Sequence, residues 1–460
     1  MSQVISHIAA VRAAAGHPLG AKLTTAFGSP SPAEPERTAA VLAALSSSLY
    51  MEDTFYAGHL SHSTVSVPLA FQEAARLDGR ALLEAVIVAN ECAARITAAT
   101  TLGRFRGQTA AQAHLSGAAT ARLLATGHCH ENILCHAWAL ALSAPPWSML
   151  PAYLGSDAKV LSAATPVRTA LDAASAAVAG LRGLPELLEH PEGFLHTFAH
   201  APIPEAVVAG LGERWHTETV SFKVHPAAVT VDAPIDCAAH LHRQLDDATQ
   251  QITEIHVHAP SLVLEMDRHA ARYLREGNSP IAALNMSLAY NVATALLTGA
   301  VTVEDLSGEA VHEPRRWRLA RRVRLHHDED LSRAAMLSTA PVGEALRQAG
   351  ERARAWDPRL ADAPVKRLLK DAGAPARTFE HASKNIGCRI TVHLDDGREL
   401  TAERRNGLGA VGSSSWLRHR ELVRRKLLRT GATEAGADAL GHLEELSANE
   451  LACVLREMWA

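Results

Sequence analysis

Residues 49–68, LYMEDTFYAGHLSHSTVSVP, place two adjacent acids, Glu52 and Asp53, and two histidines, His59 and His62, in one short stretch. An apolar helical run leads into the acids. Small hydroxyl residues and a second apolar run follow the histidines. A carboxylate followed by imidazoles at a helix junction can orient a base and take a proton from carbon. His62 is the first candidate for moving that proton, with Asp53 fixing its tautomer, and His59 is its rival. The densest set of metal-ligating types lies elsewhere, at His128, Cys129, His130, Cys135 and His136. It lacks the short paired spacings of zinc sites, so no metal is expected. No glycine-rich phosphate loop follows a strand and no G-x-S-x-G element occurs, which leaves no sign of a nucleotide or serine-hydrolase site.

The elements that must position these residues read as helices. The segments ERTAAVLAALSSSLYM, GRALLEAVIVANECAARITAATTL, QTAAQAHLSGAATARLLATG and VRTALDAASAAVAGL carry apolar residues at i, i+3, i+4 and i+7. Their alanine- and glycine-rich faces allow close approach of helix axes. After Trp215 the pattern changes. TETVSFKVHP, ITEIHVHAP and CRITVHLDDGRELTAE alternate like strands, and Asp395-Asp396-Gly397 reads as a hairpin turn. Helices are predicted between them, near 236–248, 279–298 and from 330, and the tail from Trp416 is helical again. The expected architecture is mainly α. An all-α domain is formed by both chain ends (1–215 and 409–460), with an α+β domain inserted at 216–408.

With 460 residues the chain can fill two cores, and its formal charge of −4 attracts neither nucleic acid nor an anionic membrane. The basic runs from Arg315 to Arg324 and from Arg418 to Arg429 read as solvated or interface faces. Charged residues interrupt every apolar run, so no membrane span is expected. Six scattered cysteines and no apolar leader suggest reduced thiols and a cytoplasmic location.

Six segments occur in the order of one enzyme family. They are Met51-Glu52-Asp53-Thr54, His62-Ser63-Thr64, Gly155-Ser156-Asp157-Ala158-Lys159, LLEHPEGFLHTF (187–198), Phe222-Lys223-Val224-His225-Pro226, and Ser287-Leu288-Ala289-Tyr290-Asn291-Val292-Ala293. From about residue 33 onward the chain resembles the MmgE/PrpD family of 2-methylcitrate dehydratase, cis-aconitate decarboxylase and iminodisuccinate epimerase. The resemblance implies a homodimer whose inserted domain acts as a lid over a cleft for small polycarboxylates. Asp53, His62, Lys159, Lys223 and Tyr290 would line that cleft, with Arg106 and His59 as further substrate contacts. Two lysines about one pocket make an anion trap and stabilise charge developing beside a carboxylate. Tyr290 would assist a departing hydroxyl.

The chain also departs from the family pattern. Arg106 stands where the family usually has a histidine; it can clamp a carboxylate but cannot act as a base. Ala227-Ala228 and Asp232 replace other family polar residues, and the N-terminus is read as lacking the family's leading helix. The combined expectation is a cofactor-independent lyase of the dehydratase type, removing a proton next to a carboxylate. An epimerase or isomerase of an imino- or amino-dicarboxylate, a decarboxylase and a non-catalytic subunit are the alternatives, in that order.

Overall fold

The computed structural model describes residues 1–56, 58–103, 108–245, 248–356 and 369–459. The helix Pro35–Ser48 starts with a proline in its first turn, where no backbone N–H is needed, and carries Glu36 near its positive end. Every residue from Thr38 to Ser48 is buried, so this helix runs through the middle of the helical body. Against it pack Leu161–Val178, Ser66–Ala75 and Ser2–Ala15, while Gly79–Thr100, whose Asp78 cap accepts from the Ala81 N–H at 2.8 Å, packs on Gln108–Ala125. Val423, Leu427, Leu440, Leu451, Leu455 and Met458 from the tail join the same apolar core as Val4, Ile8 and Leu42. The two chain ends therefore share one core.

Strand β1 (Asp53–Thr54) pairs antiparallel with β2 (Ser221–Phe222), Asp53 opposite Phe222. A second sheet has the order β4-β3-β5-β6, built from β3 (Ile252–Ala259), β4 (Val323–His327), β5 (Cys388–Leu394) and β6 (Glu399–Arg404). Only the β3–β4 pair is parallel. Alternation along β3 and β5 turns Ile255, Val257, Ile390 and Val392 into a separate core. There they pack with Leu241, Val292 and Leu296 from the helices Asp232–Leu245 and Leu288–Thr298. The Asp395-Asp396-Gly397 turn closes the β5–β6 hairpin as its sequence predicts, Gly397 taking the left-handed φ of 87°. Among the described residues, no helix is long and apolar enough to cross a membrane.

Several expectations change. The chain does have a leading helix, Ser2–Ala15, buried along most of its length. The span 279–298 is two helices, Ile281–Met286 and Leu288–Thr298, because Ser287 leaves helical geometry and caps the second. His326 and His327 end β4. Within the two basic runs, Arg316 and Lys426 are buried rather than solvated. Arg316 pairs with Asp305 at 2.8 Å. In TETVSFKVHP only Ser221–Phe222 is strand.

Candidate active site

The site is assembled where the central helix ends. Ser46, Ser47 and Ser48 form its last turn, and Tyr50 follows with φ 57°, a left-handed conformation uncommon for a side chain of this size. That reversal sends the chain into β1. Because Asp53 lies opposite Phe222, the same antiparallel register puts Glu52 level with Lys223. Lys223 Nζ donates to Glu52 Oε1 at 2.9 Å, and both side chains are 1 % exposed. His59 Nδ1 lies 2.8 Å from the same oxygen, and the His59 side chain keeps 27 % of its surface exposed. Burial alone would raise the Glu52 carboxyl. Lys223, His59 and Lys159 outweigh it and hold Glu52 well below the usual carboxylate range.

The carboxylate at the centre of the site is therefore Glu52, not Asp53. Asp53 is fully buried, and desolvation pushes it up to about 6 against the opposing pull of the Ser61 hydroxyl and the Lys426 charge. Among the described residues, no carboxylate bonds His62. Its Nδ1 bonds Ser46 Oγ at 2.8 Å, and its ring lies between His59 (centroids 6.1 Å) and His114 (5.3 Å). Burial holds His62 well below the ordinary histidine value and takes His114 to about 3, so both are neutral at pH 7.

Lys159 comes from the turn Asp157–Val160, fixed by the Ser156 hydroxyl accepting from the Ala158 N–H at 3.1 Å. Its ammonium donates to the Ser47 carbonyl, at the negative end of the central helix, and lies 3.7 Å from the Tyr50 ring centroid. Lys223 lies 5.1 Å from the same centroid. Burial lowers Lys159 to about 7, with Lys223 adding to the fall and Glu52 opposing it. Two more lysines, neither expected, complete the cluster. Lys426 donates to Ser6 Oγ at 2.9 Å and to the Met51 carbonyl, tying the tail to the residue before Glu52. Lys384 donates to Thr54 Oγ1. Burial lowers both to about 7.

A cavity of about 820 Å³ opens beside this cluster. His59, Tyr50, Tyr153, Gln112 and Lys384 are among its lining residues, and an aromatic side made by Trp147, Phe198 and Trp356 faces it. Asp53, His62, Lys159 and Lys223 form a layer behind that wall, with the Tyr50 ring at the junction. Tyr290 is not brought to the site. Its hydroxyl donates to the Asp305 carbonyl, Arg316 Nη1 approaches at 3.4 Å, and its ring packs on Trp317 at 5.3 Å. Desolvation raises this phenol to about 12, as for a core tyrosine. Arg106 lies outside the described residues.

Glu52, His59 and His62 each offer a donor atom within 4.8 Å of the others, the one such set of metal-ligating types among the described residues. A divalent ion there would compete with Lys223 for Glu52 Oε1 and face the charge of Lys159. The donor set is better matched to the lysine it already holds.

A mainly helical body with small sheets, and a buried lysine–carboxylate–imidazole cluster beside a closed-in cavity, define the class. The N-terminal domain of the MmgE/PrpD family matches residues 5–206, and its C-terminal domain matches residues 225–355. The chain belongs to the MmgE/PrpD family. No curated protein matches it.

Proposed function

We propose that the protein is a cofactor-independent lyase of the dehydratase type acting on a small polycarboxylic acid. The observation that carries this reading is the Lys223–Glu52–His59 unit, with His59 on the cavity wall. When Nδ1 shares its hydrogen with Glu52, Nε2 of His59 holds the lone pair a base needs. His59 therefore takes the proton-transfer role expected of His62, and Glu52 the orienting role expected of Asp53. Lys159 and Lys223 supply positive potential from behind the Tyr50 ring, where charge builds on a carboxylate beside the departing proton. Family membership supports the dehydratase class. A second copy of the chain as partner belongs to the same proposal.

The test is incubation with citrate, cis-aconitate, tricarballylate and related acids in D₂O, followed by NMR. The expected result is loss of water from a hydroxy acid such as citrate, addition of D₂O to the alkene cis-aconitate with deuterium entering the carbon next to a carboxylate, and a fall of roughly 10²-fold or more in His59→Ala. Exchange without net loss of substrate would establish an epimerase in place of a lyase. Absence of exchange and of turnover across the panel, or an unimpaired His59→Ala, would overturn the proposal.

A further inference from the structure

Lys384 sits in the segment between Phe379 and the start of β5, beyond residue 355 where the family match ends. Its side chain is 3 % exposed, yet it lines the large cavity and also a smaller adjoining pocket shared with Lys223 and Asp232. An ammonium carries three donors. Among the described residues one hydrogen bond of Lys384 is seen, to Thr54 Oγ1. The strongest pull toward its charged form comes from Asp232, itself desolvated and raised to about 7, with Glu52 and Asp53 contributing less. A buried, under-satisfied cation on a cavity wall is costly unless something anionic completes it.

Placement separates Lys384 from the other lysines. Lys159 and Lys223 converge on the ring of Tyr50, before β1, whereas Lys384 binds Thr54 at the far end of that strand. Two cationic loci thus flank β1, and His59 is on the wall of the cavity that Lys384 also lines. One carboxylate of a ligand activates the carbon next to the base. Lys159 and Lys223 are two cations for the two carboxylates of a dicarboxylate, so the separate Lys384 locus is suited to a third carboxylate further along the same molecule.

We propose that Lys384 is a specificity-determining residue. It holds an additional carboxylate of the substrate and so selects tricarboxylates over dicarboxylates. This rests on the polycarboxylate reading given above.

The experiment is calorimetric binding of tricarballylate and of glutarate, which has the same carbon chain without the central carboxylate. Wild type is compared with Lys384→Met, which retains the stem packing and removes the charge, and with Lys384→Arg, which restores a cation. Wild type is expected to prefer tricarballylate by about tenfold, the usual scale of one charge-assisted contact. Lys384→Met should remove that preference by weakening tricarballylate alone, and Lys384→Arg should recover part of it. Equal weakening of both ligands, or an unchanged preference in Lys384→Met, overturns the role of Lys384 and leaves the lyase proposal standing. If wild type binds neither acid, both proposals fall. A melting temperature of Lys384→Met within a few degrees of wild type shows that the readout is not misfolding. If Lys384→Met does not fold, Lys384→Arg decides alone: a preference for tricarballylate kept in whole or in part supports a cationic locus, and loss of that preference refutes it.

Discussion

Replacing Glu52 with Gln keeps the shape and an acceptor oxygen for Lys223 while removing the charge between two buried cations. At 2.9 Å the attraction between unit charges is about 6 kcal/mol with an effective dielectric of 20. Experience with broken buried pairs sets the net loss at about 3–5 kcal/mol. A ceiling also exists, because the stranded lysine can lose its proton. For a lysine of ordinary pKa that costs about 5 kcal/mol at pH 7 and only about 2 kcal/mol at pH 9. Urea unfolding of wild type and Glu52→Gln at both pH values measures this. The expected destabilisation is about 3–5 kcal/mol at pH 7, falling to about 2 kcal/mol at pH 9. A loss below about 1 kcal/mol at pH 7, the range of exposed pairs, would refute the buried pair. A loss that does not shrink at pH 9 would refute the lysine as its origin.

Three more outcomes follow from the same contacts. Tyr290→Phe should cost about 1 kcal/mol of stability by stranding the Asp305 carbonyl, and should leave kcat and KM unchanged; a large fall in kcat would return Tyr290 to the chemistry. Lys159, Lys384 and Lys426 fall from 10.5 to about 7 on folding, so the unfolded chain binds more protons between those values. Stability of the ligand-free protein should therefore rise from pH 7 to pH 9, measured by urea unfolding, and a flat or falling curve would mean that the lysines stay charged. Binding of tricarballylate at pH 8 should take up protons, because its carboxylates favour the ammonium forms. Calorimetry in buffers of different ionisation heat reads this directly, and zero uptake contradicts it.

How far the sequence could be read is clearest at individual residues. The helices around Pro35–Ser48 and the β5–β6 hairpin follow from local signals, apolar periodicity and an Asp-Asp-Gly turn, so they were legible. Lys159 and Lys223 were found through motif resemblance, and the structure does gather them. Glu52 was in view but lost to its neighbour Asp53. The choice between adjacent acids depends on the register of β1 with β2, a pairing of residues 53–54 with 221–222 that local pattern does not encode. Lys426 carried a readable signal: it lies three residues after Val423 and one before Leu427, on the buried stripe of its helix. The density of arginines around it hid that stripe. Lys384 has no such signal, since its loop follows no period and its burial comes from the tertiary meeting of Thr54 and the cavity. Tyr290 failed for the opposite reason. Its motif is present, but the Asp305–Arg316 pair, contributed from later segments, captures its hydroxyl.

The placement of charge explains why such a cluster persists. Four lysines with side chains at most 5 % exposed face one strongly acidic carboxylate, Glu52, while desolvation raises Asp53 to about 6 and Asp232 to about 7. A site meant only to be stable would replace these cations with apolar residues, which often costs nothing or stabilises. Here Lys223 is paired with Glu52, while Lys159, Lys426 and Lys384 each rest on a carbonyl or hydroxyl: the Ser47 carbonyl, the Met51 carbonyl with Ser6, and Thr54. Those last contacts orient the three cations without neutralising them. Burial lowers these three to about 7, so the counter-charge that a polycarboxylate brings would complete their ammonium forms and draw protons in as it binds.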